Sequence, residues 1–537
     1  MKDKRVVKRQ KVNFDLRLMT NTLVHFFRKY LGLLLFTGAL ITGISTYKSY
    51  GISWDEGIQR QLGQATYNYI FHGEDSIKYC HNKEYGIAFE LPLYMLEKAF
   101  RLSDSRDIFL MRHLVTHLFF LTGALFLFLL IDLLYRSKLL AAIGFLMLLS
   151  TPLIYGHSFF NSKDVPFLSM FIIGLYVMAV AFQKNNLIWY IMLGLALALL
   201  MNIRIMGILL LGCSWLQFGL DFVRLRSERK ARKKTAAYAT VVTFLAFGLL
   251  AATWPYLYHS PVRNFCLAFY HLSHWQWVGW VLFWGKEYWC MSIPGYYAIS
   301  WFCFSNPLLY VLIGFLGIAC ILISFIKTPR QLLFDPIQRN HLVYLFCFAE
   351  PLIAVAVLHS QIFDAWRHLY FIYPPFILCG IYGLNVLLKT KLKFIALSFM
   401  AINFVYIVSI MIQAYPYEYV YFNELIVKRY EPQYLRRNFE MDYWGTSYTR
   451  AFEYILKNDT SANITVAVPQ PNLVGEENLW LLKASDRKRL SITDDSAHAD
   501  YFVTYYRYHP QEYPYPDKEI FSLQVMNSTI MSVFRFK

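Results

Sequence analysis

Apolar segments of membrane-crossing length recur almost from end to end of this chain, and they decide what it can become. Taking about 17–25 residues per crossing, we expect spans near 31–50, 108–134, 138–156, 166–182, 187–203, 205–222, 236–254, 300–326, 341–358, 370–388 and 393–413. Backbone polar groups cannot go unpaired in hydrocarbon, so these segments must be helices. The chain has 537 residues, of which 57% are hydrophobic and 16% charged. That balance excludes a single soluble domain. The expected fold is an all-α multi-pass membrane protein of about eleven transmembrane helices.

Charge orients the spans. Lys2, Lys4, Arg5, Lys8, Arg9, Lys11, Arg28 and Lys29 crowd the flank before the first span, and the positive-inside rule puts that flank in the cytoplasm. Span parity then places Arg136/Lys138, Lys184, the run Arg224–Lys234, Lys327/Arg330/Arg339 and Lys389/Lys391/Lys393 on the same inner side. The formal charge of +17 is thus explained by topology rather than by nucleic acid. No small-residue cleavage site follows the first apolar stretch, which reads as a retained anchor. The eight cysteines show no metal-ligand spacing. Cys80, Cys266 and Cys290 fall outside, where a disulfide is chemically permitted, and Cys266–Cys290 is one candidate pair.

Parity leaves four external segments: 51–107, 157–165, 255–299 and everything after about 414. In the first, Ile58, Leu62, Ala65 and Tyr69 recur at helical spacing opposite Gln59, Arg60, Gln64 and Asn68, the pattern of a helix lying along the membrane surface. A second helix is expected over Ile87–Phe100. Trp275, Trp277, Trp280, Trp284 and Trp289 suit a segment at headgroup depth. Residues 1–413 form the membrane domain. Residues 414–537 change character: Ile464–Val468, Tyr501–Tyr505 and Ser532–Phe534 alternate between Pro and Gly turns, and Arg450–Lys457 reads as a helix before them. This predicts a small soluble α/β domain on the external face.

The candidate chemistry lies on that face. Ser53 with Glu56 three residues later fits a capping box, which gives Glu56 a structural task and leaves Asp55 for chemistry. Asn161-Ser162-Lys163-Asp164 precedes Pro166 on the same side, where Asp164 also suits a helix cap. Arg204 falls at a tight external turn, and Arg367-His368 follow Asp364 at the external end of a span. Such cations at membrane depth need a partner or a wet cavity, unless they snorkel to the headgroups. His72, His157, His259 and His274 receive no role. His81 and Glu84 are candidate ligands for a divalent metal, with weak spacing; no cofactor is otherwise indicated.

The ordered set Ser53-Trp54-Asp55-Glu56, Tyr85–Pro92, Phe160–Pro166, Trp366–Leu369, Tyr417–Leu425 and Asp442–Gly445 resembles the GT-C glycosyltransferases. More narrowly it is similar to bacterial members of glycosyltransferase family 39, relatives of protein O-mannosyltransferases and lipid A aminoarabinose transferases. Ser162 departs from the proline expected there. The resemblance implies an integral-membrane enzyme that takes a sugar from a polyprenyl-phosphate carrier and passes it, usually with inversion, to an acceptor hydroxyl of a glycolipid, glycan or protein on the periplasmic or external face. Transfer needs a carboxylate for the hydroxyl proton and cations for the departing phosphate. Asp55, with Glu56 and Asp164, is assigned the catalytic role. Lys163, Arg204, Arg367 and His368 are assigned to the phosphate, and Lys83 and Tyr85 to the donor or acceptor pocket. A flippase for lipid-linked substrates would also place charges near an outer cavity, but the chain lacks the paired halves of many transporters. A non-catalytic assembly factor is the third reading.

Overall fold

The computed structural model describes residues 29–80, 82–274, 277–428 and 430–537. The basic flank up to Arg28, His81 and Trp275 lie outside them. Among the described residues nine helices are long and apolar enough to cross a membrane, or ten if one bent pair counts as a span. They are α1 (Lys29–Ser49), α4 (Ser105–Tyr135), α7 (Asp164–Lys184), α9 (Ile208–Arg224 with the turn before it), α10 (Arg229–Thr253), α13 (Leu308–Lys327), α15 (Asn340–Leu358), α16 (Tyr373–Leu387 with the turn Arg367–Ile372 before it) and α17 (Lys393–Ala414).

All eleven expected segments are helical, but two of them are not straight full-length crossings. Residues 138–156 form part of a broken element, α5 (Lys138–Leu149) and α6 (Pro152–Phe160), bent by 66°. Pro152 opens α6 and cannot continue the hydrogen-bond ladder of α5. The other is α8 (Leu187–Ile203), whose 17 residues fall short of the others. Pro307 likewise splits the expected 300–326 span into α12 (Tyr297–Phe304) and α13.

The ends that carry the site are firmly capped. Asp104 accepts from the Arg106 N–H (2.8 Å) to start α4, and Arg136 in a left-handed conformation closes it. At 1.5 Å per residue α4 is roughly 46 Å long, longer than the roughly 30 Å of a bilayer's hydrocarbon core. The two surface helices form as α2 (Glu56–His72) and α3 (Glu90–Ala99), but the buried stripe of α2 is Glu56, Gln59, Leu62, Gly63 and Thr66. Packing on α3 helps set that face; of the expected apolar stripe Leu62 is buried, while Ile58, Ala65 and Tyr69 are only half-buried. At the opposite end of the bundle the guanidinium of Arg339 holds both oxygens of Asp221 (2.8 and 3.0 Å). A residue expected as a flanking charge is thus a buried, paired one.

Helix α11 (Pro261–Ser273) and the hairpin β1 (Trp280–Phe283) and β2 (Lys286–Trp289) occupy the aromatic loop. Cys266 and Cys290 are both free thiols, so the candidate disulfide is not formed. Short helices α14 (Pro329–Phe334), α18 (Tyr434–Asn438), α19 (Tyr448–Asn458), α20 (Leu473–Asn478) and α21 (Ala484–Arg487) complete the helical set. The C-terminal domain is a five-stranded sheet in the order β4-β3-β5-β7-β6, with β3 (Ile464–Ala467) parallel to β4 (Leu490–Thr493) and β5 (Tyr501–Thr504). Strands β6 (Glu519–Val525) and β7 (Ser528–Arg535) pair antiparallel, and β7 runs antiparallel to β5. Helix α19 precedes β3, as the sequence predicts.

The domain is fastened to the bundle. Asn478 at the end of α20 accepts from the Ile52 N–H (3.1 Å) and donates to the Ile52 carbonyl (2.9 Å), clamping the strand that leads to Asp55. Gly51 lets this happen, because a Cβ there would stand 2.0 Å from the Thr446 carbonyl oxygen. Arg487 reaches Asp104 (3.2 Å), and Arg106 donates to the Leu481 carbonyl (3.0 Å).

Candidate active site

The start of α2, the turn before α7, the end of α8 and the turn before α16 meet at the end of the bundle that carries the sheet domain. Lys163 Nζ lies 3.0 Å from Oδ2 of Asp55, and Arg367 Nη1 lies 3.3 Å from the same oxygen and 3.4 Å from Oδ2 of Asp164. Arg204 pairs with the other oxygen of Asp164. The sequence thus named five residues, drawn from four segments, that one ion-pair network joins. It rules out snorkelling for Arg204 and Arg367, since both charges are turned onto buried carboxylates.

Local sequence explains the placement. Asn161 folds the turn by accepting from the N–H groups of Lys163 (3.2 Å) and Asp164 (2.8 Å), and its amide donates to Oδ2 of Asp164 (3.0 Å). Ser162, the departure from the family pattern, donates to Glu90 (2.6 Å), which also pairs with Arg112 of α4. The Lys163 ammonium stands 5.0 Å above the Tyr85 ring. The Arg367 guanidinium lies against Trp444 (4.7 Å) and Phe363 (5.2 Å).

Asp55 keeps 26% of its side chain exposed, whereas Asp164 keeps 1%. Burial pushes the Asp55 carboxyl up, but Lys163 and then Arg367 outweigh it and hold the group below the ordinary carboxylate range. Burial disfavours the Lys163 ammonium too, and Asp55 overcomes that, raising its pKa. Both are therefore charged at neutral pH.

Glu56 faces elsewhere. Its carboxylate accepts from the Ser53 N–H (2.9 Å) and lies 3.0 Å from His113 Nε2 of α4, while the Ser53 hydroxyl serves the Phe160 carbonyl (3.2 Å). Half of the expected capping box forms, and the buried Glu56 is occupied by structure. His368 rests on Phe363 (4.8 Å) and makes none of the ion pairs above. Lys83 turns away to the Lys78 carbonyl (3.0 Å) and lines a pocket of about 180 Å³ with Tyr69, Tyr256 and His259. Glu84 pairs with His271 (2.6 Å). Among the described residues no group of three or more His, Cys, Asp or Glu side chains is arranged to hold a metal.

Three contributors escaped the sequence. His157 underlies the site, bonded to the Tyr370 hydroxyl (2.6 Å) and the Trp444 indole (2.9 Å). Asp364 braces Arg367 through Nε (3.2 Å) and Nη2 (3.0 Å), and Arg507 of the sheet domain pairs with Asp364. The only signal for the first two was their place beside named motifs. Asp442 shapes the Trp444 turn by accepting from the Tyr419 hydroxyl (2.6 Å) and the Ser447 N–H (3.1 Å).

Comparison with known proteins bears on the fold. Residues 91–258 match the family model described as dolichyl-phosphate-mannose-protein mannosyltransferase. No curated protein matches the chain by sequence. The apo Archaeoglobus fulgidus oligosaccharyltransferase is similar in fold at 11% identity, with a TM-score of 0.52 over 88% of this chain and 66% of that one. The chain thus spans slightly less than two thirds of that relative. ArnT from Cupriavidus metallidurans in the apo state matches at 12% identity and a TM-score of 0.47, over 96% and 98% of the two chains. The chain has the fold of a GT-C membrane glycosyltransferase, with a small sheet domain at its C-terminus.

Proposed function

We propose that this protein transfers a sugar from a polyprenyl-phosphate carrier to an acceptor hydroxyl at the membrane face that bears the C-terminal domain. The carrying observation is the network of Lys163, Arg204, Arg367 and Arg507 around Asp55, Asp164 and Asp364. Four cations face three carboxylates there, and the fourth acid, Glu440, which lies 3.6 Å from Arg507, is pushed up to about 8 by burial and so is mostly protonated at neutral pH, which leaves a surplus positive charge. An anionic phosphate would balance it, and would gain negative charge as it departs. A family model named for dolichyl-phosphate-mannose supports the same donor class.

In this reading the bond from the anomeric carbon to the phosphate oxygen breaks as the acceptor oxygen bonds to that carbon, and the acceptor proton passes to Asp55. Both cations contact Oδ2 of Asp55, so Oδ1 is the oxygen that meets the acceptor. A carboxylate held this acidic is a weak base. Its larger contribution is to orient the hydroxyl and to balance positive charge on the sugar in the transition state. Asp164 fixes Arg204 and Arg367 between donor and acceptor. The chain lies across the cytoplasmic membrane with its N-terminus inside and this site outside.

Mass spectrometry of envelope glycolipids and glycoproteins tests the reading, using cells with the protein, without it, and with Asp55→Asn. One sugar unit should be lost from a defined acceptor in the last two. Unchanged glycans with redistribution of intact lipid-linked sugar across the membrane would instead indicate a flippase.

A further inference from the structure

Resting on that reading, we propose that Arg507 of the sheet domain is a positioning residue for donor binding, holding Arg367 in place through the carboxylate they share, Asp364. The two oxygens of Asp364 are divided between them: Oδ2 takes Nε and Nη2 of Arg367 (3.2 and 3.0 Å), and Oδ1 takes Arg507. None of the three side chains exposes more than 7% of its surface. Arg507 is itself fixed by donating to the Tyr443 carbonyl (2.7 Å), with Glu440 3.6 Å from its Nε. The sheet domain touches Arg367 from a second direction as well, through the Trp444 ring.

The backbone gives this link a purpose. Asp364 and Ala365 both adopt left-handed φ values, 55° and 61°, and such conformations in non-glycine residues are costly and persist only where surroundings hold them. The holding contacts are the Arg507 pair on Asp364 and the Ala365 N–H to the Tyr297 hydroxyl (3.2 Å). Without Arg507 the turn can relax, and Arg367 follows it, because a guanidinium is useful to a phosphate only in a fixed fork geometry. The Arg507 contact on Asp364 and competence for the lipid phosphate are thereby coupled.

The test uses purified full-length protein and polyprenyl phosphate as the probe, with polyprenol of the same length as the uncharged comparison, read as ligand-dependent thermal stabilisation. Wild type should prefer the phosphate. Arg507→Ala and Asp364→Asn should each weaken phosphate binding about tenfold or more, by analogy with the loss of groups that orient metal ligands, while polyprenol binding stays the same. Arg507→Lys should recover part of the loss. Arg487→Ala loosens the same domain at Asp104 without touching Asp364, and should leave phosphate affinity unchanged. Wild type without phosphate preference would overturn the donor assignment itself. A normal preference in Arg507→Ala, or an equal loss in Arg487→Ala, would overturn the positioning role alone.

Discussion

Asp55 and Asp164 are bridged by a single nitrogen, Nη1 of Arg367, at 3.3 and 3.4 Å. The two acids nevertheless differ in access, since Asp55 keeps a quarter of its side chain open and Asp164 keeps almost none. A group that must meet an acceptor has to be reachable, and a group that fixes cations does not.

Asp55→Asn retains size but loses charge and proton affinity, so sugar transfer should fall by roughly a hundredfold or more at matched protein level. Glu56→Gln should behave differently. It disturbs the contact with His113 and lowers thermal stability by about 1–3 kcal/mol, as for a buried hydrogen bond left imperfect, while activity per folded molecule persists. Transfer assays and melting curves on the two variants separate these outcomes, and the reverse order would move the catalytic role to Glu56.

Removing Arg367 or Arg204 takes one of the two cations from the buried Asp164 as well as a phosphate contact. Each alanine variant should cost on the order of 2–5 kcal/mol in donor use. Arg367→Lys should not rescue it, because one ammonium cannot reach Asp55, Asp164 and Asp364 together. Donor-dependent initial rates across a concentration series provide the check, and near-normal turnover in both alanine variants would remove the arginines from the site.

Several carboxyls outside the spans are raised, chiefly by burial: Asp442 to about 6, Glu418 to about 7, and Glu440 and Glu477 to about 8. For Glu477 the neighbouring Glu56 and Asp55 add to burial. A raised folded pKa means that the native state holds protons the unfolded state has released. Stability is then fully present below the free carboxyl range near 4 and is lost as pH rises through 6 to 8. Melting temperature measured from pH 6 to 9 should decline, and Glu477→Gln should flatten the decline. Asp55 works in the opposite sense: its lowered pKa supports the fold above the ordinary carboxylate range and is lost only in strong acid.

Orientation is open to direct assay. A reporter that works only when exported should be active after Lys537, and one that works only in the cytoplasm should be active within Arg224–Lys234. A cytoplasmic C-terminus would sink the proposed sidedness of the site.

The membrane class and the sheet domain were legible because hydropathy and strand alternation are local properties of sequence. Arg204 and Arg367 were legible for a related reason: an arginine at membrane depth stands out against its surroundings. What they bind was not. Arg507 lies 143 residues from Asp364, and nothing in either segment marks them as partners. The structural task of Glu56 was legible from its spacing to Ser53, but its partner His113, on a helix 57 residues downstream, was not. Gln59 looked solvent-facing because periodicity counts apolar residues and cannot show which protein surface a polar stripe will meet.

Helix α17 has a different character from the rest of the bundle. Only 11% of its most apolar window is buried, and Phe394, Ile402, Val405 and Ile412 are all more than two thirds exposed to the surroundings. Its domain-side end is held by the Tyr415 hydroxyl, which donates to Ser49 (2.5 Å). Such a helix is a mooring line rather than a wall. Its outward-facing residues touch little of the rest of the chain, so exchanging one aliphatic side chain for another there should leave Asp55 where it is.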